Sequence, residues 1–269
     1  MLLVSLIIPA YNEAARIQTT MSEAIDYFAS RGIPCEIIVS ADGTDGTREA
    51  AREVAASRVG GAGIQVIGST RRGGKGLGIR EGVRLSRGDI IGFADADNKT
   101  PITEFDKVRP FLDAGHDVVI GSRALSESRV ERPQPWFRRV GSRVFRYAVR
   151  ASVGLTDIVD SQCGFKFFQG HVARDLFERQ QIDGYMFDVE ILFLAQQLRY
   201  SIAQVPVRWR DDADSRLDLV AGNLRNARDV LSIRWRHRSA GRLVAAHVPA
   251  AFSERYTADV GPRVGTHED

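Results

Sequence analysis

The chain has 269 residues, 43% of them hydrophobic and 26% charged, which is typical of a globular protein and argues against a disordered one. No apolar run approaches the roughly 20 residues that a membrane-spanning helix needs, and residues 1–10 lack a basic leader. The formal net charge is +3, and two cysteines, Cys35 and Cys163, have neither metal-ligand spacing nor the number of a disulfide framework. These features predict a cytoplasmic protein with reduced thiols.

The first half alternates short apolar segments, rich in Val and Ile, with amphipathic segments. The predicted strands cover residues 3–9, 36–40, 64–69, 89–95 and 117–123, and the predicted helices between them include residues 13–31 and 46–58. This alternation predicts an α/β fold with a mostly parallel sheet covered by helices on both faces. Because ligands bind beyond the carboxyl ends of such strands, the strand exits are the candidate site.

Polar residues stand at four of the predicted strand exits. The first strand leaves into PAYNE (Pro9–Glu13), the second into SADGTDGT (Ser40–Thr47), the fourth into DADN (Asp95–Asn98) and the fifth into GSR (Gly121–Arg123). Carboxylates, an aromatic ring, glycines and an arginine should therefore meet at one edge of the sheet.

The pair Asp95 and Asp97 predicts a metal site. Alternate residues of a strand point to the same face, so the two carboxylates should share a side at the strand exit. Both could then bind Mg²⁺ or Mn²⁺, which would neutralise a departing diphosphate. The alternative is that two aspartates near a turn are solvated or cap a helix.

The second half is less regular. A helix is predicted around residues 187–198 and a last strand over residues 202–209, whereas residues 241–269 should form a poorly ordered tail. The segment Trp136–Ala151 places apolar residues on one helical face and arginines on another, which is typical of a helix in a membrane interface. A core-facing helix with a wet side is the alternative, and residues 223–238 form a second candidate of the same kind.

These motifs, in this order, resemble family 2 of the inverting glycosyltransferases, which have the GT-A fold. The resemblance rests on PAYNE, the Asp-Gly-Thr turn, GKG at Gly74–Gly76 and DADN. In the second half, DSQCGFKFF, FDVEILFLA and VPVRW resemble the dolichyl-phosphate glucosyltransferase branch of the polyprenyl-phosphate sugar synthases. The resemblance implies one GT-A domain over residues 1–240, with a nucleotide-binding half (1–123) and an acceptor half (124–240).

The resemblance also implies roles for individual residues. Pro9, Tyr11 and Glu13 would shape the nucleotide pocket, Asp42 would contact the base or ribose, Lys75 would lie near the phosphates, Asp95 and Asp97 would hold the metal, and Arg123 and Arg216 would face anionic oxygens. The family usually shows Asp-Asp-Gly-Ser where this chain has Ser40–Thr44. Two alternatives stay open: Asp42 as a helix N-cap, and Lys75 as a solvated residue.

The acceptor decides which catalytic group is needed. A hydroxyl acceptor needs a general base, for which Asp188 and Glu190 are the candidates. A phosphate acceptor is already anionic near neutral pH, so the site then needs cations and no base. The candidate cations are Arg123, Lys166, Arg208, Arg210 and Arg216, and the alternative for the last three is pairing with Asp211, Asp212 and Asp214 at the surface.

The resemblance implies a hexosyltransferase that moves glucose from UDP-glucose onto a polyprenyl or dolichyl phosphate with inversion. The expected enzyme would contact an anionic membrane peripherally, at its cytoplasmic face. A GDP-mannose-dependent polyprenyl-phosphate mannose synthase and a family 2 transferase acting on a hydroxyl are the alternatives. A nucleic-acid partner is not expected, because the arginines share a helix with apolar residues instead of lying with aromatic rings across a sheet.

Overall fold

The computed structural model describes residues 2–57, 63–131, 149, 151–210 and 221–238. Most of the basic segment 136–151, the position Arg216 and the tail 241–269 lie outside these residues, so the predictions made for them stay predictions. Within the described residues, no helix is both long enough and apolar enough to cross a bilayer.

A seven-stranded sheet forms the centre of the molecule, and a two-stranded sheet lies beside it. The central strands follow the order β3-β2-β1-β4-β7-β5-β8, and β6 pairs with β9. The strands are β1 (Val4–Tyr11), β2 (Cys35–Asp42), β3 (Ile64–Ile67), β4 (Ile90–Ala94), β5 (Val118–Ser122), β6 (Arg129–Val130), β7 (Phe165–Gln169), β8 (Ile202–Pro206) and β9 (Arg208–Trp209).

Helices cover both faces of the central sheet. They are α1 (Ala14–Ser30), α2 (Thr47–Ser57), α3 (Lys75–Leu85), α4 (Phe105–Asp113), α5 (Gly170–Arg179), α6 (Phe187–Gln197) and α7 (Ala221–Arg236). One apolar cluster lies between the sheet and α1, α2 and α4, and a second lies between the sheet and α3, α5, α6 and α7. In β1, Leu6 and Ile8 belong to the first cluster and Ile7 to the second, as the alternation of strand side chains requires.

The five strands predicted in the first half are confirmed as β1 to β5, and the mostly parallel sheet is confirmed with one exception. β1 pairs in parallel with β2 and β4, whereas β7 pairs antiparallel with both β4 and β5. The predicted last strand, residues 202–209, is divided: β8 pairs with β5 and β9 with β6. The second half of the chain therefore completes a sheet begun by the first half.

The order of the strands reverses at β1. The chain runs outward from β1 through β2 to β3 and then returns to place β4 on the other side of β1. A crevice forms at such a reversal, beyond the carboxyl ends of the two neighbouring strands. The exits of β1 and β4 therefore define where a ligand would bind.

Candidate active site

Asp95 and Asp97 lie in the turn that follows β4. The strand ends at Ala94, and the turn closes with a hydrogen bond from Asn98 N–H to the Asp95 carbonyl at 3.2 Å. The expectation that strand alternation aligns the two carboxylates is therefore wrong, because a turn and not a strand brings them together. Their side chains are partly open to solvent, at 38% for Asp95 and 23% for Asp97.

The Asp95 backbone is fixed by the strand next to it. Asp95 N–H donates to the Gly164 carbonyl at 3.1 Å, just before β7 begins. A Cβ atom at Gly164 would overlap the Asp95 carboxylate, so a larger residue there would force this carboxylate to move. Gly164 of DSQCGFKFF thus leaves room for the side chain of Asp95 of DADN. The spacing of the two motifs along the chain does not reveal this contact.

The two carboxylates influence each other electrostatically. Burial raises the pKa of Asp97, the negative charge of Asp95 raises it further, and Lys99 opposes both. Lys99 Nζ lies 3.4 Å from Asp97 Oδ2. Among the described residues, no group of three or more His, Cys, Asp or Glu side chains could hold a metal ion.

Lys75 reaches Asp95 from the start of α3. Its Nζ lies 2.6 Å from Asp95 Oδ1, and its side chain is 17% exposed, so the alternative of a solvated lysine is wrong. Burial lowers the pKa of Lys75, but the carboxylates of Asp95 and Asp188 outweigh burial and raise it. Gly74, with φ of 120°, places α3 so closely against the Asp183 carbonyl that a Cβ atom would overlap it.

Asp188 and Lys166 form a buried ion pair next to Lys75, and we call these three residues, with Asp95 and Asp97, the charged cluster. Lys166 Nζ lies 2.5 Å from Asp188 Oδ1 and also donates to the Cys163 carbonyl at 2.7 Å. Lys166 is fully buried and Asp188 is 3% exposed. Burial raises the pKa of Asp188, and the ammonium groups of Lys166 and Lys75 oppose that shift. Of the two predicted bases, Asp188 therefore belongs to the charged cluster, and its carboxylate is already paired with the Lys166 ammonium.

Glu190 is buried and hydrogen-bonded away from the charged cluster. It is fully buried, and its carboxylate accepts the backbone N–H groups of Gln181 at 3.0 Å and Ile182 at 2.9 Å. His237 Nε2 lies 2.6 Å from Glu190 Oε1. These contacts occupy both carboxylate oxygens. Glu190 follows Asp188 by two residues in the helix, so the two side chains lie on different sides of α6. The structure thus contradicts the expectation that Glu190 is a candidate base.

Arg123 is held by an acidic residue that sequence reasoning missed. Its Nε and Nη2 donate to Asp160 at 2.7 and 2.9 Å, and its backbone N–H donates to the same carboxylate at 3.0 Å. Asp160 is fully buried; burial raises its pKa, but the Arg123 guanidinium outweighs burial and holds the pKa well below its usual range. The other guanidinium nitrogen, Nη1, donates to none of the described residues. The signal was available: Asp160 is the first residue of DSQCGFKFF.

The other predicted cations have partners away from the aspartates. Arg208 Nε donates to the buried Glu104 at 2.8 Å, and Arg210 Nε donates to Glu131 at 3.0 Å. The first pair ties β9 to the residue before α4, and the second joins the residues that follow β6 and β9, so neither guanidinium is placed with the charged cluster. Arg216 and the aspartates expected to pair with it lie outside the described residues.

The exits of β1 and β2 form an open polar surface. Tyr11, at the end of β1, is 41% exposed, and the Arg72 guanidinium lies over its ring at 4.3 Å. Arg72 also donates to the Tyr185 hydroxyl at 2.9 Å, which joins two segments far apart in the chain. Sequence reasoning missed Arg72, although its place between β3 and α3, beside GKG, was a usable signal.

Asp42 belongs to this surface as well. Its two carboxylate oxygens accept the backbone N–H groups of Ser69 at 3.1 Å and Gly73 at 2.7 Å. The first turn of α2 uses Asp45 instead, which accepts Thr47 N–H at 3.1 Å. The alternative that Asp42 caps a helix is therefore wrong; it orders the loop between β3 and α3.

Pro9 and Glu13 lie at the two ends of PAYNE. Pro9 is half-buried within β1 and pairs in register with Ser40 of β2. Glu13 precedes α1, its backbone N–H donates to Thr47 Oγ1 at 2.9 Å, and its carboxylate lies 3.3 Å from Arg16. Both residues border the β1 exit, where Tyr11 stands.

A mostly parallel sheet with this strand order, and with acidic and basic residues gathered at the exits of β1 and β4, is the arrangement that the predicted GT-A fold requires. The chain matches the model of Glycosyl transferase family 2 over residues 5–173. It belongs to glycosyltransferase family 2 and is a hexosyltransferase, and the resemblance inferred from the motifs is confirmed.

Similar proteins are known from several eukaryotes. The chain is 31% identical over 248 residues to a dolichyl-phosphate beta-glucosyltransferase of Dictyostelium discoideum, covering 87% of this chain and 74% of the relative. The protein of the same name from Drosophila melanogaster is 32% identical over 87% of this chain and 74% of its own length. The human protein of that name is 31% identical over 87% of this chain and 75% of its own length.

Solved structures share the fold. Glucosyl-3-phosphoglycerate synthase from Mycobacterium tuberculosis, in complex with Mn²⁺, uridine diphosphate and phosphoglyceric acid, superimposes with a TM-score of 0.63 at 22% identity, over 86% of this chain and 78% of that one. The same enzyme with Mg²⁺ and uridine diphosphate gives a TM-score of 0.61 at 21% identity, over 86% and 79% of the two chains. The predicted GT-A fold is confirmed.

Proposed function

We propose that this enzyme moves glucose from UDP-glucose onto a polyprenyl or dolichyl phosphate with inversion at the sugar. The names of the relatives, which match most of this chain at about 31% identity, support glucose as the sugar and a dolichyl phosphate as the acceptor. Neither a GDP-mannose donor nor a hydroxyl acceptor has comparable support.

The observation that carries the proposal is the buried pair of Asp188 and Lys166. A general base must be able to take a proton from a hydroxyl acceptor. The Asp188 carboxylate is shielded from solvent and already accepts a hydrogen bond from the Lys166 ammonium, 2.5 Å away. A phosphate monoester has a second pKa near 6 and is already anionic at neutral pH, so it needs no such base. The charged cluster therefore suits a phosphate acceptor better than a hydroxyl acceptor.

The donor would bind at the exits of β1 and β2. The ring of Tyr11 and the guanidinium of Arg72 offer flat surfaces to a nucleobase, and Asp42 keeps the adjoining loop in place. Lys75 stands at the N-terminus of an 11-residue helix, where backbone N–H groups and the helix dipole also favour phosphate oxygens. Pro9 and Glu13 border the same pocket.

Asp95 and Asp97 have the chemistry that Mg²⁺ or Mn²⁺ requires. Their oxygens are hard ligands, they are partly open to solvent, and the repulsion that raises the pKa of Asp97 would be relieved by a divalent cation. The Mn²⁺ and Mg²⁺ complexes of the structural neighbours support such a site. When bound, the ion supplies positive charge that neutralises the diphosphate as it leaves.

The acceptor phosphate would be gripped by arginines from the other half of the chain. Asp160 orients Arg123 through two nitrogens, and the Nη1 edge of its planar fork, which donates to no residue that the structure describes, would bind an oxygen. Arg216 is proposed as its companion. We also propose the division into a nucleotide-binding half (1–123) and an acceptor half (124–240), and peripheral contact with the cytoplasmic face of an anionic membrane.

The test is a matched panel of donors and acceptors. Purified protein with Mg²⁺ is incubated with labelled UDP-glucose or GDP-mannose, and with either a polyprenyl phosphate or the corresponding polyprenol. We expect label in the organic phase only with UDP-glucose and the phosphate. Transfer from GDP-mannose would move the proposal to a mannose synthase, and transfer to the polyprenol would contradict the phosphate acceptor.

A further inference from the structure

Helix α7 has an anchored inner face. Val230 and Ile233 are buried in the apolar cluster that α6 also lines. His237, one residue beyond the helix end, is 7% exposed and bonds Glu190 at 2.6 Å. These contacts fix which side of α7 points away from the protein.

The opposite face combines large apolar side chains with arginines. Leu231 is 71% exposed and Trp235 is 69% exposed, the highest values among the large hydrophobic residues that the structure describes. Arg228, Leu231, Trp235 and Arg238 follow one another at intervals of three, four and three residues, which places them in one stripe along the helix. We call this stripe, with the neighbouring exposed Arg225 and Arg234, the α7 outer face.

The arginines of the α7 outer face are exposed, and the positive charges of Arg225 and Arg228 favour the ionised form of the neighbouring Asp229. Within the described part of the chain, none of these four arginines forms an ion pair, and the Arg238 guanidinium lies 5.6 Å from the centre of the Trp235 ring. Asp229 is the one acidic residue between 221 and 238, and it lies on the flank of the helix. The α7 outer face is therefore strongly positive around an apolar centre.

This combination fits an anionic bilayer surface better than a second copy of the chain. Leucine and tryptophan enter the boundary between headgroups and acyl chains, while flanking arginines remain with the anionic headgroups. Two copies of the same face would bring like charges together, which opposes association. Charge complementarity therefore selects the lipid surface.

We propose that the α7 outer face docks the enzyme on an anionic lipid bilayer. The proposal rests on the proposed function, since a polyprenyl phosphate acceptor is embedded in a bilayer, and it names a surface other than the segment Trp136–Ala151. Docking here would hold the neighbouring charged cluster near the headgroups, because α7 packs against α6, which carries Asp188.

The test is sedimentation of the full chain with phosphatidylcholine vesicles, with and without phosphatidylglycerol, in the absence of any acceptor lipid. The variants are Leu231→Ser/Trp235→Ser and Arg228→Glu/Arg238→Glu. The matched controls are Leu85→Ser, an exposed leucine at the end of α3, and Arg52→Glu/Arg84→Glu, which changes the net charge equally on α2 and α3. Analytical ultracentrifugation reports whether any variant changes self-association.

We expect wild type and both controls to bind the phosphatidylglycerol vesicles, and each α7 variant to bind them about tenfold or more weakly. Equal binding by wild type and the α7 variants, no binding by wild type, or an oligomer that only the α7 variants dissociate would overturn the proposal. Transfer to a short-chain, water-soluble prenyl phosphate is measured in parallel. Unchanged transfer by the α7 variants supports a docking role, whereas loss of transfer in all proteins, with vesicle binding intact, would refute the proposed function alone.

Discussion

At the scale of single residues, the account depends first on Asp97. Replacing Asp97 by Asn removes one of two candidate metal ligands and keeps the side-chain size. We expect kcat/KM to fall about 100- to 1,000-fold, equal to roughly 3–4 kcal/mol, because charge on the leaving diphosphate would be less well neutralised. Steady-state kinetics over a Mg²⁺ titration measures this loss.

The control for this substitution is Asp113→Asn, at an exposed ion pair with Arg109 on α4. It makes the same chemical change away from the strand exits and should leave kcat/KM unchanged. Full turnover of the wild-type enzyme in excess EDTA would contradict the metal role of Asp95 and Asp97.

A second residue-scale prediction concerns Asp188 and its partner. Asp188→Asn leaves a buried lysine without its counter-ion, which should cost about 3–5 kcal/mol of unfolding free energy. Adding Lys166→Met removes the orphaned charge and should restore much of that stability. Urea unfolding of the two single variants and the double variant gives the coupling between the side chains.

The same double variant tests the absence of a general base. If the acceptor is a phosphate, the folded double variant should keep its kcat within about tenfold of the Lys166→Met variant, since no proton has to be removed. A folded double variant that binds UDP-glucose in calorimetry but has lost about a thousandfold in kcat relative to Lys166→Met would instead identify Asp188 as a base.

Sequence reasoning found residue types at this scale better than it found their partners. Asp95 was identified as a motif residue at a strand exit, Lys75 through the family resemblance of GKG, and Asp188 as one of two acidic residues in FDVE. The ion pairs Lys75–Asp95 and Lys166–Asp188 were not predicted, because they depend on how α3 and α6 pack. The choice of Asp45 over Asp42 at the start of α2 was also missed, since both precede the helix and only the backbone geometry separates them.

At the scale of elements, β7 links the two halves of the site. It enters the sheet between β4 and β5 and carries Lys166, and Gly164 immediately before it supports Asp95. We predict that Gly164→Ala lowers both activity and stability, because the new methyl group would collide with the Asp95 carboxylate. Kinetics and thermal unfolding should report both losses.

Gly63→Ala is the matched control for this change. The nearest atom to a Cβ atom at Gly63 is an arginine side-chain nitrogen 3.4 Å away, which can move. The control should keep wild-type activity. A Gly164→Ala enzyme with the same kinetics as the control would show that Asp95 does not need its present position.

Helix α7 offers a second prediction at this scale. His237→Ala removes the hydrogen-bond partner of a fully buried Glu190 and should cost about 1–3 kcal/mol of stability. We expect hydrogen exchange to accelerate in residues 221–236 while β1 stays protected. Arg225→Ala, on the exposed side of the same helix, is the control, and equal exchange in both variants would contradict the anchoring role of His237.

The elements themselves were predictable to different degrees. β1 to β5 could be predicted because each is a short apolar run between polar turns; β1, β2, β4 and β5 are buried on both faces, and β3 is a half-buried edge strand. The insertion of β7 and its antiparallel direction could not, because strand order follows from long-range packing and residues 160–168 carry no turn signal that fixes it. The division of residues 202–209 into two strands also depends on pairing with β5 and β6.

At the scale of the whole molecule, one sheet brings a donor surface and a charged cluster together. The donor surface lies at the exits of β1 and β2, and the charged cluster lies at the exit of β4, supported by β7 and α6. Because the two meet where the strand order reverses, a nucleotide sugar bound at the first would place its diphosphate beside the second. This arrangement is the structural basis that we propose for transfer to an anionic acceptor.

The linkage in the product tests this account most directly. Wild-type enzyme is supplied with UDP-glucose labelled with ¹³C at the sugar C1 and with a polyprenyl phosphate, and the purified lipid is examined by ¹³C and ³¹P NMR. The account predicts a C1 signal of β configuration that is coupled to phosphorus, which identifies a glucosyl phosphodiester formed with inversion. An α-configured C1, or a C1 without coupling to phosphorus, would contradict it.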